Sequence, residues 1–86
     1  MNFAFLSGIV TNIQDMTENI KMARLEDEKQ VYLLYWENKN FLNEDLLNKN
    51  IQVITNIEKL KIRNEKNKVK IVTAYKVKEM ELVDDI

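Results

Sequence analysis

The sequence predicts one small, mostly β domain, a five-stranded barrel with one short helix between the third and fourth strands. Three observations predict it. Five separable stretches are rich in β-branched and aromatic residues, the last of them alternating cleanly between apolar and polar positions. One stretch with near-helical apolar spacing lies between the third and the fourth. The only glycine, Gly8, falls inside the first stretch, where a strand must bend sharply or pack closely.

The first strand covers residues 3–13, and Gly8 makes it the coiled opening strand of a small barrel. Residues 15–19 form a turn, and residues 20–25 a second strand with Ile20, Met22 and Arg24 on one face and Lys21, Ala23 and Leu25 on the other. Glu26, Asp27, Glu28 and Lys29 make a polar connection. The third strand contains Val31-Tyr32-Leu33-Leu34-Tyr35-Trp36, apolar on both faces, so one face is core and the other needs a partner. Asn40 caps the short helix, in which Phe41, Leu42, Leu46 and Leu47 recur on one side, and Asn50 is placed as a left-handed stop.

The fourth strand, residues 51–62, changes apolar phase from Ile51 and Val53 to Ile54, Ile57, Leu60 and Ile62, as a bend or bulge requires. After the polar reversal at residues 64–67, the fifth strand sets Val69, Ile71, Thr73, Tyr75 and Val77 against Lys68, Lys70, Val72, Ala74, Lys76 and Lys78. Three strands, a helix and two long strands form the order of an OB-fold.

With 86 residues, 45% of them hydrophobic and 31% charged, the chain is a single globular domain over 1–86, its last residues an acidic tail prone to fray. Cysteine and histidine are both absent. Disulfides, thiolate or imidazole metal sites and His-based catalysis are therefore excluded. The carboxylates Glu26, Asp27 and Glu28 sit in a polar turn where acids are solvated, so an enzyme is not expected, and neither is a metal or cofactor. The apolar start is too short for a leader or a membrane span, which makes a cytoplasmic protein the default expectation.

The net charge of −1 hides a polarised chain. Residues 1–58 carry −4, residues 59–78 carry +7, and the last eight carry −4. Such a local field steers a polyanion. The alternative is a solvated edge whose lysines only block strand-to-strand aggregation.

Leu6-Ser7-Gly8-Ile9-Val10 resembles the first-strand pattern of the bacterial single-stranded DNA-binding protein family, which includes the compact primosomal replication protein. The block from Val31 through Trp36 to Leu47-Asn48-Lys49-Asn50-Ile51-Gln52-Val53 resembles that family's third strand, helix and entry into the fourth strand, with Asn50 where glycine is usual. The acidic end lacks the family's Pro-Phe terminus, so recruitment of replication partners through the tail is not carried over. The resemblance implies single-stranded DNA as ligand and puts Trp36 where the family stacks a base.

The residues themselves supply both parts of such a site, cations along the phosphates and flat rings under the bases. Lys59, Lys61, Arg63, Lys66, Lys68 and Lys70 flank the last reversal, while Trp36, Tyr35 and Tyr32 come from the third strand. For Tyr35 and Tyr32 the competing role is core or subunit interface, and Phe3, Phe5 and Tyr75 are assigned to core or dimer contact. The expected function is single-stranded DNA binding with little sequence preference, RNA remaining open, in replication, recombination or mobile-element maintenance. A homodimer or higher oligomer is expected because one chain carries few cations. The alternative is a protein-interaction module, an accessory subunit for replication or mobile-element proteins.

Overall fold

The computed structural model describes residues 2–37 and 44–83. Five strands, β1 (Phe3–Asp15), β2 (Ile20–Glu26), β3 (Val31–Glu37), β4 (Asn50–Arg63) and β5 (Val69–Leu82), close into a barrel in the order β1-β2-β3-β5-β4. All pairings are antiparallel except the short β3–β5 seam, where Leu34 and Tyr35 meet Tyr75 and Lys76. The helical stretch differs from the expectation. Among the described residues between β3 and β4 there is one 3-10 turn, Glu44–Leu46, and the expected Asn40 cap, Phe41 and Leu42 lie outside the described residues. Leu46 plugs the barrel and is buried with the core.

Cross-strand register defines the barrel's interior. The rows Ala4–Thr55–Val77, Leu6–Val53–Met80 and Gly8–Ile51–Leu82 run across β1, β4 and β5 on the inner face, joined by Val10, Ala23, Leu25, Leu34 and Trp36. Thr55 is fully buried, and its hydroxyl donates to the Ala4 carbonyl at 3.3 Å, which satisfies it.

β1 serves two neighbours in turn, pairing with β4 through residues 3–9 and with β2 through residues 9–15. That double duty needs the glycine. A Cβ on Gly8 would stand 2.4 Å from the Glu26 carbonyl oxygen, a backbone atom that cannot swing aside. Gly8→Ala should therefore cost about 1–3 kcal/mol through overpacking, read as a lowered urea midpoint with an unchanged slope.

Two bulges turn the barrel's corners. In β1 the register jumps between Val10 and Asn12, leaving Thr11 as the extra residue and returning Ile13 to the interior. In the β4–β5 ladder it jumps at Ile54 and Thr55, as the phase change in the fourth strand suggested, but the extra residue is Lys78 of β5. β4 itself keeps its phase. Ile51, Val53 and Thr55 all point inward while Ile54 stays outside and 36% exposed.

The left-handed residue before β4 is Asn48, at φ 67°, rather than Asn50, which is already paired with Ile9. Asn48 donates its amide to the Val10 carbonyl at 2.7 Å, and Val10 donates to the Lys49 carbonyl at 3.0 Å. The chain thus turns where it can be tied to the β1 bulge, two residues earlier than the spacing suggested. The β2–β3 turn is built by Asp27, whose Oδ1 accepts from the amides of Lys29 and Gln30 at 2.7 and 2.8 Å. Those two amide bonds, joined by the Tyr32 hydroxyl and the Lys29 charge, hold the Asp27 carboxyl below its ordinary value.

Candidate nucleic-acid interface

Beyond Ile57 in β4 and before Tyr75 in β5, the two strands pair only with each other. Residues 58–63 and 69–74 form a two-stranded arm, about 20 Å long at the usual rise per residue. The molecule measures 46 × 27 × 23 Å, its long axis exceeding the others by about that length. At the tip, Asn64 Oδ1 accepts from the amides of Lys66 and Lys68, both at 3.0 Å, while Asn67 takes φ 63°. Asparagine tolerates both tasks, and the turn needs no glycine.

Register sorts the cations. Lys59, Lys61 and Arg63 lie opposite Thr73, Ile71 and Val69 on one face, the continuation of the barrel's inner surface. Lys70 lies on the other face, opposite Ile62 and near Leu60 and Val72, and Lys66 and Lys68 belong to the turn. The predicted basic residues therefore surround the arm instead of lining one groove wall. Lys59 Nζ donates to Thr73 Oγ1 at 2.7 Å, and Arg63 Nη1 to Asn67 Oδ1 at 2.9 Å, which orients both without neutralising either. The ion pairs among the described residues, Lys21–Asp15 at 3.7 Å and Lys76–Glu37 at 3.5 Å, take no cation from the arm.

The third-strand aromatics are not gathered as expected. Trp36 is 1% exposed, faces the interior and packs in the central core. A ring so covered offers no face to a base. Tyr35 points to the opposite side of β3 and is also buried. Burial, together with the nearby Glu58 carboxylate, pushes its pKa up. The second apolar face of β3 thus finds cover within the chain, where Ala74, fully buried, pairs with Glu58 on β4. Phe3 and Phe5 are exposed and do not belong to the core.

Tyr32 fares differently. It is half-buried at the barrel mouth, edge-on to Tyr75 with ring centroids 5.4 Å apart and planes at 87°. Its pKa is raised by burial and by the nearby Asp27 carboxylate. Tyr75 pairs with Ile57, one inner-face step below the Thr73–Lys59 pair, so the two rings stand at the foot of the Lys59–Lys61–Arg63 row. Tyr75 was missed because its strand alternation put it on an apolar face. That face is core only as far as the barrel extends.

The mitochondrial single-stranded DNA-binding protein Rim1 of S. cerevisiae, known from a crystal structure, superposes on this barrel and arm with a TM-score of 0.65, covering 98% of this chain and 95% of that one. The chain has an OB-fold. At 8% identity the likeness is one of fold, and the strand order expected from the sequence is the order observed. No family model and no curated protein sequence matches the chain. Among the described residues no helix is long and apolar enough to cross a membrane.

Proposed function

We propose that this chain binds single-stranded DNA with little sequence preference, as a binding protein and not as a catalyst. The observation that carries the proposal is the row Lys59–Lys61–Arg63, free of carboxylate partners among the described residues, rising from the Tyr32–Tyr75 pair on a fold shared with a single-stranded DNA-binding protein. Alternate residues of one strand recur about every 6.7 Å, a spacing commensurate with successive phosphates of an extended strand. Lys66, Lys68 and Lys70 continue the positive field over the tip. Backbone charge gives affinity without base readout, and the half-open tyrosines add stacking that any base satisfies. Exposed strands in replication, recombination or mobile-element maintenance are the substrates such chemistry serves. Because one arm holds few cations, two or more chains acting together would raise the avidity.

Fluorescence anisotropy of labelled oligo-dT at two salt concentrations tests this, with the same length of oligo-U alongside. Binding should weaken steeply with salt, with a log–log slope of about −0.7 for each phosphate contacted. Trp36 emission should stay unquenched, since the ring is sealed in the core. Absence of any anisotropy change at micromolar protein in low salt overturns the proposal. The exposed Phe3, Phe5 and Ile54 would then favour a protein-interaction module.

A further inference from the structure

On the outer surface of β1, β4 and β5, the side chains opposite the core rows form a second patch. Register aligns Phe5–Ile54–Glu79 and Ser7–Gln52–Glu81 across the three strands. Phe5 is 66% exposed, and a groove of about 400 Å³ runs between Phe5, Ile54, Glu79 and Glu81. An apolar floor with a carboxylate rim calls for an apolar ligand flanked by cations. The arm is such a ligand. On one face it carries Ile71 and Val69, 61% and 54% exposed, directly opposite Lys61 and Arg63.

We infer that the arm of one copy docks in the outer groove of a second copy, Ile71 and Val69 on Phe5 and Ile54, with Lys61 and Arg63 toward Glu79 and Glu81. The contact is between copies, because arm and groove are successive parts of the same two strands and a strand cannot fold onto its own face. It is also head-to-tail. Packing the groove on itself about a two-fold axis would bring Glu79 and Glu81 of both copies to one seam, four carboxylates against the two bulge residues Lys78, since Lys76 is already paired with Glu37 at 3.5 Å. Each bound pair leaves one arm and one groove unused, so the association closes on itself or extends as a chain. This specifies the self-association invoked above. It brings groove and nucleic acid into competition for one face only if that proposal holds.

Sedimentation velocity without nucleic acid tests the inference. The wild type should assemble with rising concentration and dissociate with salt. Phe5→Glu, which disables the groove, and Ile71→Glu, which disables the arm, should each weaken assembly about tenfold or more, with unchanged circular dichroism melts since both positions are exposed. An equimolar mixture should then form a 1:1 dimer and nothing larger, one intact groove holding one intact arm. The double reversals Glu79→Lys/Glu81→Lys and Lys61→Glu/Arg63→Glu should likewise fail alone and pair when mixed. A monomeric wild type, a mixture that stays monomeric, or an Ile71→Glu protein that assembles like the wild type overturns the inference. Oligo-dT binding by Phe5→Glu, read separately, shows whether the nucleic-acid proposal stands without it.

Discussion

Trp36→Ala should abolish the native fold or lower its thermal transition by roughly 12–40 °C. Truncating a buried Trp costs about 3–5 kcal/mol, and one kcal/mol moves the transition of a domain this size by about 4–8 °C. Trp36 is the largest side chain fully buried in the barrel and packs in one cluster with Ala23, Leu25, Leu34 and Leu46. Small domains hold only about 5–15 kcal/mol in all, so a large share would go at once. Circular dichroism melts of Trp36→Ala and Trp36→Phe read the effect, the latter refilling most of the cavity and recovering most of the transition. An alanine variant that melts like the wild type but no longer binds oligo-dT would show that the ring meets bases and not the core.

Reversing the arm's charge should have the second large effect. Lys61→Glu/Arg63→Glu/Lys68→Glu replaces three cations by three anions on residues that are all exposed, so the fold should survive. Losing three phosphate contacts should flatten the log–log salt slope by about 2. Repulsion from the new carboxylates adds to the loss, which should be on the order of a hundredfold or more in low salt. Lys29→Glu/Lys49→Glu, exposed residues outside the arm, provides the control and should change affinity little. Equal losses from both variants would mean that net charge, and not the arm, sets binding.

The strand order was legible because the fifth strand alternates cleanly, the third is a short continuous apolar run, and Gly8 punctuates the first; the closed barrel follows from those elements. What alternation could not convey was where the barrel ends. Val69, Ile71, Thr73, Tyr75 and Val77 do share one face, as their spacing said, yet Val77 is core, Tyr75 sits at the mouth, and Ile71 stands in solvent. The same blindness moved Trp36. An aromatic at the end of an apolar strand reads alike whether it caps a core or faces a ligand, and here it is buried in the same cluster as Leu46. Asn48 and Asn50 share a residue type and differ only in backbone angle, which nearby tertiary hydrogen bonds decide.

Because the arm pairs only with itself, β4 and β5 each belong to two regimes of order. Their barrel halves are held by neighbours on both sides, whereas a lone two-stranded hairpin is marginal in water. The arm's ends can therefore open while the core stays shut. A ligand that grips the arm must supply the conformational entropy of straightening it, and part of every contact is spent on that ordering. Binding strength is thus set jointly by the charges the arm carries and by how fully its strands are formed beforehand. Asn64 and Asn67, which shape the turn and carry no charge of their own, become places where affinity can be raised or lowered without removing a cation.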